Sequence, residues 1–341
     1  MTESVFNKVQ LGQQTAIATA VATTTVFPVD EGFTGFELDR AAESPNEDFG
    51  SSSREFGGRG STGVRWATAS LPFVGRFQDI MHIQQMHFDT ATTAGSAPYT
   101  HTTIFDDSGS APSTALKPYT MHYGVIGSTQ DEWVATGVLI DTLDFGFDAL
   151  SAPGNSMWNG SAGLVALDRG NGTMTASQTA PATLETMEGH KTTLNEGAIG
   201  TAFASLSALT GSLRQFRFNS SLNLTGRPYG GATDLATYVG QTAKGEVGFD
   251  ALVAFGATAK TDTVDIYNVA GDVMTDRRWR ITIDGSGNNL ATLDFRCRFT
   301  ATDVGIDNGE RLYAVNGVFV YDSTLASRAM WITTNDIATI P

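Results

Sequence analysis

The stretch WVATGVLIDTLDFGFDA, residues 133–149, decides the fold class. Leu139, Asp141, Leu143, Phe145 and Phe147 fall on one side of an extended chain, and Ile140, Thr142, Asp144, Gly146 and Asp148 on the other. Successive side chains of a strand point to opposite faces, so this period of two reads as a long, half-buried strand. Its apolar face is interrupted by Asp141, and its other face turns acidic. The stretch LRQFRFNSSLNLTGR, residues 213–227, repeats the style. Phe216, Phe218, Leu222 and Leu224 share one side; Gln215, Arg217, Asn219, Ser221, Asn223 and Thr225 share the other.

Working outward from the first stretch, residues 32–39, 64–70, 99–105, 118–126 and 158–168 read as further strands. Pro72 suits the first turn of a helix, and Phe73, Phe77, Ile80, Met81 and Gln84 follow helical spacing, which predicts a helix over 72–88. In the second half, 245–255, 278–284, 290–300 and 311–321 read as strands and 262–269 as a short helix. Leu293, Phe295, Cys297 and Phe299 face in; Asp294, Arg296 and Arg298 face out. Residues 285–289 are a turn. The order repeats, and 341 residues exceed what one core usually spans. The expected architecture is mainly β: two tandem β-sandwich or barrel domains, each with a short flanking helix. The expected division is an extended N-terminal arm over 1–27, a first domain over 28–168, a linker or long loop over 169–205 (alternatively a structured arm whose Leu184, Met187, Leu194 and Ile199 dock on a neighbour), and a duplicated domain over 206–341. The segment 41–63 is a second long loop.

The charge balance narrows the function. Against 36 acidic residues stand 21 basic ones, for a net charge of −15. A chain without surplus cations gains little from counterion release, so specific nucleic-acid binding is not expected. The single cysteine, Cys297, excludes an intrachain disulfide and cysteine-based zinc sites. No apolar run is long enough for a membrane helix, and the N-terminal stretch lacks a basic region leading into an apolar one, so neither a membrane segment nor a signal peptide is expected.

Candidate chemistry is thin. Gly58–Gly63 fits GxGxxG but precedes a strand rather than a helix, the wrong setting for a dinucleotide. His82 and His87 are five apart and off a shared helix face; His101 and His122 could neighbour one another on paired strands. Asp106–Asp107 and Asp141 with Asp144 could serve a glycosidase only if held across a cleft. The segment 284–289, DGSGNN, lacks the spaced ligands and terminal Glu of a calcium loop. Cys297 reads as a buried thiol, and Arg277, Arg278 and Arg280 as a cluster suited to salt links. No catalytic residue, metal ligand or cofactor is expected.

The opening GQQTAIATAVATTTVFPVD, residues 12–30, resembles the start of major tail tube proteins of long-tailed bacteriophages. Gly12, Gln14, Thr15, Ala16, Thr19, Ala20, Val21, Thr24 and Pro28 stand in the places of that pattern, with Ala18 where the family often has Gly. The stretch 131–149 is similar to that family's strand with an aromatic, a small residue, Gly and then alternating apolar positions, here Trp133, Ala135, Gly137 and the run 138–147. The resemblance is strongest in the N-terminal half. It implies a virion structural protein, made in the host cytoplasm, whose copies form stacked rings around a lumen that viral DNA crosses without specific binding. A duplicated chain implies three copies per ring with pseudo-sixfold symmetry; a second half that is a decoration domain implies six. Other tail proteins would meet the tube ends. Asp144, Asp148, Gln215, Asn219 and Asn223 are the candidate lumen-facing residues, since an acidic wall repels DNA. Arg217, Arg296 and Arg298 are candidates for contacts between subunits, Arg217 alternatively pairing with an acid on the next strand. The competing readings are a secreted or surface β-sandwich binding module, with carbohydrate on exposed tryptophans, and a capsid or decoration protein.

Overall fold

A computed structural model describes residues 8–15, 19–29, 33–43, 61–89, 91–105, 116–125, 131–149, 156–178, 180–181, 183–209, 213–227, 238–241, 246–254, 276–307, 310–338 and 340. In chain order these form β1 (Lys8–Gln13), β2 (Thr25–Phe27), β3 (Glu37–Glu43), β4 (Ser61–Val74), α1 (Ile80–His87), β5 (Thr92–Ala94), β6 (Tyr99–Ile104), β7 (Tyr119–Gly124), β8 (Glu132–Asp148), β9 (Asn159–Ala166), β10 (Asp168–Asn171), β11 (Thr192–Ala198), β12 (Ser207–Ala208), β13 (Leu213–Ser221), β14 (Leu224–Arg227), β15 (Tyr238–Gln241), β16 (Glu246–Ala254), β17 (Arg277–Asp284), β18 (Leu290–Asp307), β19 (Glu310–Val320) and β20 (Ala329–Asn335). The chain is mainly β, as the alternation predicts. The expected loop over most of 41–63, the expected helix over 262–269 and the pair Asp106–Asp107 lie outside the described residues.

All ladders are antiparallel. One runs β3–β4–β9–β8–β13–β16–β19–β18, a layer of eight strands. A second runs β12–β11–β17–β18–β20–β6–β5. A smaller group, β2–β1–β7–β8–β10, continues from the first part of β8. The layers share strands: β18 lies between β17 and β20 over Leu290–Phe295, then pairs β19. Aromatic rings fill the space between the two large layers. Phe145 and Phe218 of β8 and β13 meet Trp331 of β20 at 5.6 and 5.8 Å, and Phe249 of β16 meets Trp279 of β17 at 5.2 Å. Burying rings of this size is the main stabilising term available to such a core.

β8 turns between groups at two irregularities. Pairing with β7 shifts near Gly137, whose φ of 66° suits glycine, and pairing with β9 shifts between Ile140 and Thr142. Asp141 is the extra residue at the second shift. This is why Leu139 and Ile140 are both buried and Asp141 is not simply an acid on an apolar face. Its carboxylate accepts the Leu224 N–H at 2.6 Å, and its carbonyl the Leu222 N–H at 2.8 Å.

Several expectations are corrected. The segment expected to be an N-terminal arm contains a hairpin partner of the sheet: Val9 pairs with both Phe27 and Tyr123. Gly12 and Gln14 serve that packing. A Cβ on Gly12 would meet the Ala22 carbonyl at 2.5 Å, and Gln14 spans from Thr120 Oγ1 to the Gly137 N–H at the β8 irregularity. Residues 72–74 belong to β4 rather than a helix, because Pro72 sits opposite Ser161 in the ladder and the helix begins only at Ile80. The expected linker over 169–205 supplies β11, fully paired to β17. The two halves also share ladders, β13 on β8 and β20 on β6, and one hydrophobic core reaches from Val9 to Trp331.

Candidate functional site

Where β8 and β13 run side by side, apolar positions point between the layers and polar ones point away. Phe145, Phe147, Phe216 and Phe218 are buried. On the opposite side the register sets Asp148 against Gln215 and Asp144 against Asn219. Neighbouring ladders extend these rows: Asp144 to Ser161 of β9, Arg217 to Asp250 of β16, and Ser221 to Glu246. Four of the five residues expected to line a lumen therefore share one sheet face. The fifth, Asn223, does not: β13 ends at Ser221 and Asn223 has a φ of 53°, so the predicted alternation stops before it.

Arg217 crosses that face. Its guanidinium forms an ion pair with Asp144 and donates to Asn159 Oδ1 at 3.0 Å. The two partners of the ion pair are 34% and 44% exposed, where such pairs contribute at most about 1 kcal/mol. Beside it, Thr142, Asp144, Ser161, Asn219, Ser221 and Glu246 line an open groove of ≈ 260 Å³. Arg296 and Arg298 share one carboxylate, with Asp276 accepting from Arg296 Nε at 2.9 Å and Arg298 Nε at 2.7 Å. Burial opposes ionisation of Asp276, but the hydrogen bonds from Arg298 and Arg296 outweigh it and hold its carboxyl below the usual range.

One arrangement has the outline of a catalytic dyad. His87 Nε2 lies 2.8 Å from Ser220 Oγ, and Nδ1 lies 3.2 Å from the Ile140 carbonyl. The roles follow from the partners: Nδ1–H donates to the carbonyl, leaving Nε2 to accept from the hydroxyl. Yet His87 is fully buried and Ser220 nearly so, with Phe88 and Phe105 against the imidazole. Burial lowers the His87 pKa to about 4. Such a pair satisfies two buried polar groups and offers a substrate no approach. The same holds for His82, lowered to about 4 by burial and hydrogen-bonded to Tyr119 at 3.1 Å. Tyr119 in turn donates to Gln85 Oε1 at 3.3 Å. Every residue of α1 is buried, so each of its polar side chains needs such a tie.

The remaining candidates resolve as structure. His101 and His122 are not neighbours: β6 lies between β5 and β20, and β7 between β1 and β8. The 285–289 turn receives an acid after all, from Glu185. Its carboxylate accepts from Ser286 Oγ at 2.8 Å and Asn289 Nδ2 at 2.6 Å. Those are hydrogen bonds from donors, and no second carboxylate joins them in a metal-binding group among the described residues. Cys297 is buried, and burial raises its pKa. Trp158, Trp279 and Trp331 are core residues. Among the described residues no group of three His, Cys, Asp or Glu is placed to hold a metal ion, and no helix is long and apolar enough to cross a membrane.

Sequence reasoning missed Glu246 and Asp250, which stand on the same polar face. Their signal was present: Val247, Phe249 and Ala251 alternate with them. Glu185 and Asp276 carried no such signal, because their partners are far away in sequence or on a neighbouring strand. No known protein family matches the chain, and no curated protein matches it.

Proposed function

We infer that this chain is a structural protein whose copies close into rings and stack as a hollow tube, the role of a phage tail tube. The observation that supports it is the eight-strand layer, aromatic on its inner face, polar on its outer face with Asp144, Asp148, Glu246 and Asp250 over its middle strands and Arg296 and Arg298 on β18, and ended by β3 and by the last part of β18. Among the described residues each of these has one ladder partner, β4 and β19. Unpaired strand edges invite pairing with another chain, and closure into a ring removes them. Three copies joined edge to edge make 24 strands. At ~4.8 Å between strands and ~40° of tilt the backbone wall would be about 48 Å across, roomy enough for a DNA duplex.

In this reading Asp144, Asp148, Gln215 and Asn219 face the lumen with Glu246 and Asp250, and DNA slides past without a binding site. The protein belongs in the virion, other tail proteins meet the tube ends, and no catalysis is required. A carbohydrate-binding module is less well supported, since its platform would need exposed tryptophans. Sedimentation velocity over a concentration series, followed by negative-stain imaging, tests the proposal. Rings of three copies or hollow tubes are expected; a monomer at every concentration would refute it.

A further inference from the structure

Among the described residues five large apolar side chains stand exposed: Leu184, Ile199, Leu290, Val318 and Tyr321. Four of them sort to the two ends of β17. Asp284 pairs with Leu290 at one end, and Arg277 pairs with Ala198, next to Ile199, at the other. Leu184 joins the first end because the adjacent Glu185 is bonded to Ser286 and Asn289 in the hairpin turn. Tyr321 joins the second, its carbonyl accepting from Arg296 Nη1 at 3.3 Å while the adjacent Asp322 binds Arg278 at 2.7 Å. The steps from Arg277 to Asp284, at ~3.3 Å each, hold these ends about 23 Å apart.

The ends differ in charge. The hairpin end carries Glu185, Glu188, Asp284 and Asp336 against Lys191, which bonds Glu188 at 3.0 Å with His190 beside it, and against Arg76, which forms a β-bridge with Thr186 and is matched by Asp79. The opposite end carries Arg277, Arg278, Arg296 and Arg298 against Glu196, Asp276 and Asp322. In a chain of net charge −15 the second end is the exception. Counted this way the hairpin end has a surplus of three acids and the opposite end a surplus of one arginine, the other three being matched by Glu196, Asp276 and Asp322, and each end adds two exposed apolar side chains. One surface complementary to a different surface of the same molecule gives a heterologous contact, which either closes a ring or extends as a filament.

We propose that copies of this chain dock head to tail, the arginine-rich end bearing Ile199 and Tyr321 of one copy seating on the acidic end bearing Leu184 and Leu290 of the next. The partner is a second copy in the neighbouring ring of the stack, and the contact rests on the assembly reading above, in which the β3 and β18 edges close each ring.

Two variants test it. Ile199→Glu with Tyr321→Glu puts acids on the arginine-rich end. Leu184→Lys with Leu290→Lys puts cations on the acidic end. All four side chains are exposed, so both variants should keep the parent's melting temperature. By sedimentation, each alone is expected to need at least about tenfold more protein to assemble than the parent, a cost of about 1.4 kcal/mol. An equimolar mixture should recover, because each variant then offers an unaltered end and an altered end that match the other's. Assembly of either variant alone at the parent's concentration, or a mixture that stays apart, would overturn the contact. A parent that never assembles would overturn the ring reading as well, which separates the two failures.

Discussion

Two sets of polar groups lie on opposite sides of the same strands, and they do different work. On the outer side of β8 and β13, Asp144, Arg217 and Asn219 meet water, and their mutual ion pair is partly exposed. On the inner side, His87, Ser220, His82 and Tyr119 are sealed among aromatic rings and bonded to one another or to backbone. The outer set can be exchanged at small cost to folding and is therefore available for function. The inner set is tied to the fold, because a buried polar group left without a partner costs more than its hydrogen bond contributes. The two histidines that most resemble catalytic groups fall in the inner set.

Breaking the layer between the two sets should have the largest effect. Phe145 stacks on Phe73 at 5.3 Å and touches Trp158, Phe218 and Trp331. Phe145→Ala is expected to cost about 3–5 kcal/mol in urea unfolding. Next in size is Asp79, whose carboxyl is raised to about 7, by burial first, with Arg76 opposing. A raised carboxyl pKa means the folded state holds the proton more tightly. Its stabilising share is present below pH 4 and lost as pH rises through 7, on the order of 4 kcal/mol in all. Asp79→Asn should remove that slope, so its stability relative to the parent improves by this order between pH 4 and pH 8; an unchanged slope would show that Asp79 ionises freely.

His87 gives the opposite dependence. Its lowered pKa contributes stability above pH 6.5 that is lost as pH falls through about 4, on the order of 3 kcal/mol. His87→Leu strands the Ser220 hydroxyl and the Ile140 carbonyl, costing about 1–3 kcal/mol at pH 8, yet it should lose less on acidification than the parent. Arg217→Ala, on the outer side, should change stability by at most about 1 kcal/mol and leave the pH profile intact. A large loss there would erase the distinction between the two sides.

The outer side was legible in the sequence because period-two alternation survives wherever a strand is half-buried. Alternation puts Asp144 with Asp148 on one strand face and Gln215 with Asn219 on another, with Arg217 pairing to an acid as one alternative, and the β8–β13 ladder is what joins the two faces. Alternation failed where backbone geometry changed phase: at Asp141, an extra residue in the ladder, and at Asn223, in left-handed conformation. Pro72 pointed to a helix because φ near −65° suits a helical first turn as well as a strand, and only the ladder to β9 decides between them. The sharing of sheets between halves was not legible, since pairing partners such as β6 and β20 are separated by more than two hundred residues. Leu184 and Ile199 read as docking candidates from the sequence, but their sorting to opposite ends of β17 needs the register.

The central claim is that the outer face of the β9–β8–β13–β16–β19 layer lines a closed channel. A cryo-electron microscopy reconstruction of the assembled protein tests it most directly. The account predicts a hollow tube with three chains per ring and Asp144, Asp148 and Asn219 turned toward the lumen. Rings with that face turned outward, or particles without a lumen, would contradict it.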